Sequence, residues 1–438
     1  MSPVSRGRSR KKSKHGRGNP SGRPSAGRRG AGGPPTDGFE SARTALGPLV
    51  GPQELPEWFD DSVTGVLDRS DAVLAARSPR ELEEATAGLL GTELHRAINE
   101  ERRGLRFDRW FEHLVEAAVA RIRVEAGRDG AWQAPWWLLH GLTSVGPPVL
   151  AAAAQTALGR ARKELAKDAY RSQPEWLRLL PRISATGEVW QMRDVYGTRF
   201  AVIAGFTYPD GTDRSVFLFD IDACGLVDLV GAGVFDDVEQ AAVVWRATVG
   251  DAADHAHPAP IVTGDQLSCL IHCRTGEDMV QGTEPRAVMD NWFRARRRTH
   301  DLVQALRKRG MSLPEARNLF RDVDTEPTAE AFTAWYRAAH GTEPDPEVVD
   351  ALAAEWLEGA LPGTQHAASP HRAQYLLTLI DDWIPDHPVT VGAKALLPEW
   401  VRWNGEQAGL PEDLIDRVVA VAAGGPRPET DGCLRDIQ

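Results

Sequence analysis

The sequence predicts an α+β protein, predominantly α-helical, with a small four-stranded antiparallel meander between two helical regions. Two observations carry this. Apolar residues recur at helical spacing up to about residue 183 and again from about residue 253, while between them the period shortens to two. Turn residues separate the short-period runs, and Pro- or Ser-led starts punctuate the helical ones. The expected organisation is a basic tail over 1–38, a helical region over 39–183, a β-meander plus helix over 184–252, and a helical C-terminal region over 253–438.

Residues 1–38 are mostly Arg, Ser, Gly and Pro, with Met1 and Val4 as the only large apolar side chains. Such a segment cannot recover its ordering entropy by burial, so it is expected to be disordered. It holds ten of the 51 Lys/Arg and one of the 62 acids, Asp37, a charge of +9. The whole chain carries −11, so the other 400 residues carry −20.

Helices are expected through 56–180. Ser78-Pro79-Arg80-Glu81 is a capping-box pattern with Pro at the first helical position, and Leu82, Ala85, Leu89 and Leu90 continue the stripe. Phe107, Trp110, Phe111, Leu114, Ala118 and Ile122 form a second stripe. Trp136–Leu139 begins a third helix, and Pro147-Pro148 breaks it before an Ala-rich helix over 149–165. Val189–Met192, Arg199–Tyr208, Ser215–Asp222 and Leu226–Phe235 are the four strands, with Pro209–Thr212 as the hairpin turn. In the second strand Phe200, Val202, Ala204, Phe206 and Tyr208 share the larger apolar face, and Ala201, Ile203, Gly205 and Thr207 share the smaller one. Cover is expected on the large face and is compatible with the small one. Asp236-Asp237 caps a covering helix through about Val249, with Val238, Ala241, Ala242 and Trp245 inward. Further helix starts are expected at Pro314-Glu315, Asp345-Pro346, Ser369-Pro370 and Pro411-Glu412.

The stretches WWLLHGLTSVGPPVLAAAAQTAL, VWQMRDVYGTRFAVIAGFTYPDGTDRSVFLFDIDACG and ALLPEWVRWNGEQAGL resemble a group of actinobacterial proteins with no assigned activity. The likeness spans roughly residues 134–250 and 365–425, and an Ala-, Arg- and Gly-rich composition agrees with it. Its motifs are turns, caps and apolar stripes, so it implies no site residue.

Several constellations bear on chemistry. Arg6, Arg8, Arg10, Lys11, Lys12, Lys14 and Arg17 are interleaved with Ser and Gly, and a flexible polycation of this kind binds nucleic acid without reading sequence. A solubilising tail has the same composition, and the segment lacks aromatics for base stacking. Residues 300–340 have a helix-turn-helix look, but the Arg321–Pro327 link is long and acidic, and of the second helix only Arg337 suits a base edge. Arg296, Thr299 and His300 interrupt the apolar stripe of a helix near 286–309. Either they line a polar pocket with acids from a neighbouring helix, or the helix leaves the core for two turns. Asp220 and Asp222, with Asp228 on the next strand, form a carboxylate set of the kind that holds Mg²⁺, but no general base or phosphate loop accompanies them. His255, His257, Cys269, His272 and Cys273 are zinc-ligand types at no common zinc spacing, and buried thiols on a helix face are the simpler account.

No nucleophile elbow, Walker loop, dinucleotide fingerprint or HExxH motif is present. No cofactor and no metal site is therefore expected. Four scattered cysteines fit a reducing cytoplasm, and no apolar run suits a membrane span. The function expected is that of a non-enzymatic cytoplasmic interaction or regulatory protein. Its tail would contact nucleic acid non-specifically, and its acidic body would hold a protein partner. Alternatives are a DNA-binding regulator using residues 300–340, and a metal-dependent hydrolase or nuclease using Asp220, Asp222 and Asp228.

Overall fold

The computed structural model describes residues 55–126, 130–165, 173–208, 214–273, 284–316, 319 and 323–426. The basic tail with Arg6 to Arg17, the hairpin turn at 209–213 and Arg321-Asp322 lie outside the described residues. The body is mostly helical, and the meander lies between helical regions.

Ahead of the sheet come α1 (Trp58–Asp68), α2 (Pro79–Asn99), α3 (Phe107–Glu125), α4 (Gln133–Val145) and α5 (Pro148–Ala161). Ser78 caps α2 by accepting the Glu81 N–H, and the Glu81 carboxylate reaches back to the Arg77 N–H at 2.7 Å. Pro148 opens α5 from its first position. The strands are β1 (Ser184–Arg193), β2 (Arg199–Thr207), β3 (Arg214–Asp222) and β4 (Asp228–Phe235), each antiparallel to the next. A two-residue strand that the sequence did not announce, β5 (Ala259–Pro260), pairs with β1, giving the order β4-β3-β2-β1-β5. Then follow α6 (Val238–Val249, before β5 in the chain), α7 (Ser268–His272), α8 (Arg286–Asp290), α9 (Trp292–Lys308), α10 (Glu326–His340), α11 (Pro346–Leu357), α12 (Pro370–Asp381), α13 (Pro388–Gln407) and α14 (Glu412–Ala422).

Both faces of the sheet are covered. The large face (Phe200, Val202, Ala204, Phe206, Tyr208) joins a first core with Phe217, Phe219 and Ile221 of β3 and with apolar residues of α1 to α5 and α7 to α9. The small face (Ala201, Ile203, with Val216 and Leu218) lies under Ala241, Ala242, Trp245 and Val249 of α6. Asp237 caps α6 by accepting the Gln240 N–H at 2.8 Å. At Gly91 of α2, a Cβ would stand 2.4 Å from the Asp290 Cα, so only glycine lets α2 meet α8 backbone to backbone.

A second core forms from α10 to α14, with Phe332, Leu352, Trp356, Leu376, Trp400 and Val418 among its buried residues. Tyr196, in the turn between β1 and β2, is buried in that core rather than the first. Asp345 and Ser369 cap α11 and α12 as their sequence positions imply.

Three expectations are corrected. Pro314-Glu315 opens no helix, because residues 311–316 are irregular. The helix expected near 286–309 is two helices broken at Asn291, whose side-chain amide donates to the carbonyls of Ala232 and Ala287. Nor does α9 leave the core. Its buried stripe runs through Ala295, Arg298, Leu302 and Leu306, so an arginine occupies a core position. No helix among the described residues is long and apolar enough to cross a membrane.

Candidate functional site

The residues singled out from sequence are mostly not brought together. Arg296 forms an ion pair with Asp108 of α3, at 2.5 and 3.1 Å, so the expected acid from a neighbouring helix is there. His300, however, is exposed beside Asp301 at 3.4 Å, while the Thr299 hydroxyl is buried. The polar interior of α9 lies instead at Arg294 and Arg298.

Arg298 is 2% exposed and lies against Glu83 of α2, with its Nη2 at 2.6 Å from both carboxylate oxygens. Tyr208 donates its hydroxyl to the same carboxylate, and the guanidinium stands 4.7 Å from the Phe206 ring centroid. Burial works against the Arg298 charge, but Glu83, Tyr208 and Asp301 together outweigh it and hold the pKa above the ordinary arginine value. Burial, and then Glu83, push the Tyr208 phenol up. The group ties two helices to the end of β2, with both Arg298–Glu83 bonds made by Nη2 and the buried Nη1 without a hydrogen-bond partner.

The three strand aspartates diverge. Asp220 accepts from Arg199 Nε and Nη2 at 2.6 and 2.7 Å and from the Trp245 indole N–H at 2.9 Å, beneath α6. Asp228 stands near Cys273, whose thiol is pushed well up by burial and then by Asp228. Asp222 sits opposite Asp228 in the β3–β4 register, and its carboxylate faces His371 of α12. The His/Cys set also disperses: His255 and His257 are exposed, and His272 Nδ1 faces the Ser268 carbonyl at 2.8 Å. Cys269 is buried, and burial raises its thiol to about 12.

What the fold assembles was not anticipated. Asp222 at the end of β3, Cys224 in the following turn and His371 in the first turn of α12 place a carboxylate oxygen, a thiol sulfur and an imidazole nitrogen within 4.8 Å of one another. All three side chains are buried. Asp222 Oδ1 accepts the Cys224 N–H at 2.7 Å, which turns Oδ2 toward His371 Nδ1 at 3.4 Å. Cys224 Sγ lies 3.4 Å from Ser369 Oγ, the α12 cap. A Cβ on Gly225 would stand 2.4 Å from the Tyr375 ring, so glycine is what lets α12 seat against this turn.

Two further charged groups frame the cluster. Arg372 is buried, donates to the carbonyls of Thr364, Ala367 and Trp356, and stands 4.1 Å from the Trp356 ring centroid. Burial lowers its pKa to about 10, with Cys224 acting the other way. Asp194 of the β1–β2 turn accepts the N–H groups of Thr198 and Arg199 at 2.8 and 3.0 Å. Burial raises it to about 6, the backbone bond from Arg199 opposes that, and Cys224 adds to it. Carboxylate, imidazole and thiol together are a metal-ligand set, and they are also the members of a thiol–imidazole–carboxylate relay.

The signal for this cluster was divided. Cys224-Gly225 read as a turn and Ser369-Pro370 as a helix start, and nothing local pairs segments 145 residues apart. No protein-family model, curated protein or solved structure matches this chain.

Proposed function

We propose that this chain is a non-enzymatic interaction protein of the cytoplasm. Its basic tail engages a polyanion such as nucleic acid without reading sequence, and its acidic body holds a protein partner. The observation that carries this reading is the division of charge: +9 within residues 1–38 against −20 in the remainder. A polycation opposite phosphate gains by counterion release, whereas an acidic body is repelled by the same target.

The rival readings have less behind them. The first half weighed for a two-helix unit within residues 300–340 has no helix over 311–316, and α10 buries Ala329 and Phe332 in the second core. The side of α10 open to solvent carries Glu326 and Glu330, and Arg337 pairs with Glu343. Asp220, the first member of the strand carboxylate set, is held by Arg199 and Trp245.

The test is duplex-DNA binding by the full chain, followed by fluorescence anisotropy across a salt series. About six neutralised phosphates give a log–log slope of about −5. Changing Arg6, Arg8, Arg10, Lys11, Lys12, Lys14 and Arg17 to Ser in the full chain removes that binding. Equal affinity and slope in this variant would move the contact to the body and end the proposal.

A further inference from the structure

We infer that Asp222, Cys224 and His371 hold a divalent cation of the zinc class, which joins the end of the sheet to α12. The inference is independent of the tail and of any nucleic-acid contact.

Three observations carry it. The first is donor chemistry. Oxygen, sulfur and nitrogen from Asp, Cys and His are the ligands Zn²⁺ takes, and a thiolate disfavours Mg²⁺ and Ca²⁺, which prefer all-oxygen sites. The second is distance. Bonds of about 2.0–2.3 Å in a tetrahedron place ligand atoms about 3.3–3.8 Å apart. Here the donor atoms lie within 4.8 Å, so a side-chain movement of about an ångström closes the set. The third is how the ligands are aimed. The Cys224 N–H holds one oxygen of Asp222, which directs the other toward His371, and outer hydrogen bonds of this kind orient metal ligands.

The charges agree. A divalent cation displaces the Cys224 thiol proton to solvent and is neutralised by the thiolate and the Asp222 carboxylate. Three protein ligands leave a fourth position, for water or for the Ser369 hydroxyl at 3.4 Å from the sulfur. The ligands come from the turn after β3 and from α12. The cation therefore clips the second core to the sheet end where Tyr196 already enters it. All three ligands are buried, which suits a structural ion.

The experiment adds Co²⁺ to the reduced full-length chain and reads its absorption spectrum. The expected result is one equivalent bound, with visible d–d bands of tetrahedral intensity and a near-ultraviolet sulfur-to-cobalt charge-transfer band. Both are displaced by one equivalent of Zn²⁺. The charge-transfer band disappears in Cys224→Ser and survives when Cys269, Cys273 and Cys433 are all changed to Ser. If that triple variant loses its far-ultraviolet circular dichroism, the three single variants decide the same point. His371→Gln weakens binding at least tenfold. Zn²⁺ in hundredfold excess over its wild-type dissociation constant raises the melting midpoint of the wild-type chain by several degrees and that of His371→Gln by about half as much or less. A wild-type chain without the sulfur band overturns the inference, and so does a band that survives Cys224→Ser.

Discussion

Two buried arginines show how differently the two cores are held. Arg298 in the first core faces a full carboxylate, Glu83, 215 positions earlier in the chain. Arg372 in the second core donates to carbonyls only 5, 8 and 16 positions earlier. A charge met by a charge keeps its proton firmly, while a charge met by dipoles loses ground to desolvation, and the two pKa shifts run in opposite directions accordingly. The first arginine locks distant helices together. The second closes the segment between α11 and α12. The first core is therefore a long-range assembly and the second a local one.

The largest expected effect breaks the long-range side of this comparison. Arg298→Met strands Glu83 as a buried, uncompensated carboxylate, at a cost of about 3–5 kcal/mol in urea melts. Adding Glu83→Gln recovers part of that loss, because the two changes are coupled. A cost below about 1 kcal/mol for Arg298→Met means that the pair does not lock the core.

Of nearly the same size is the effect beneath that guanidinium. Phe206→Ala costs about 3–5 kcal/mol, and Ile203→Ala, on the face under α6, about 2–5 kcal/mol. Both side chains are essentially unexposed. Loss at one site without the other would mean that only one face of the sheet contributes to stability.

On the local side, Arg372→Met leaves three carbonyls without their donor, at about 1–3 kcal/mol. Hydrogen exchange should accelerate within 358–369 and leave α2 and α9 unchanged. A chain-wide acceleration would erase the distinction between the cores.

The smallest net effect comes from acid, because two buried groups oppose each other. Burial lowers His140 of α4 to about 3, against a Leu177 backbone bond that raises it. The unfolded chain protonates this histidine first, so its contribution is complete above about pH 6.5 and is lost as pH falls toward 3. Asp194, at the sheet end beside the second core, is raised to about 6. The folded chain protonates it first, so stability rises as pH falls from about 6 to about 4. Each slope is about 1.4 kcal/mol per pH unit, and between pH 6 and 4 the two nearly cancel. His140→Gln removes one of them. Relative to wild type, the variant should gain stability as pH falls across that window in urea melts at pH 6, 5 and 4. Parallel pH dependences for the two proteins would refute the assignment.

What the sequence revealed follows the same division between local and distant. Caps at Ser78, Asp237, Asp345 and Ser369 were legible, because a cap is settled within four residues. The meander was legible because its strands are consecutive and alternate. Arg298 was not, since a charged residue in a stripe reads as surface until its partner is known, and Glu83 reads as surface too. Asp222 was noticed with its strand neighbours Asp220 and Asp228, the second of which does sit opposite it, but not with His371. Strand alternation put it beside Asp220, whereas the chain carries it to His371 of α12.

The long-range character of the first core has a consequence in time. Helices α1 to α5 end at Ala161, but the helix that supplies Arg298 ends at Lys308. At about 5–20 residues per second, roughly 7–30 seconds of synthesis separate the two. Through that interval Glu83 has no guanidinium, and the large face of the sheet lacks the cover that α9 brings. The nascent chain thus carries exposed apolar surface until α9 emerges, which is the period when a chaperone has most to hold. Residues 326–422 supply all of the second core's helices in about 5–20 seconds, and Tyr196 is already made when they emerge.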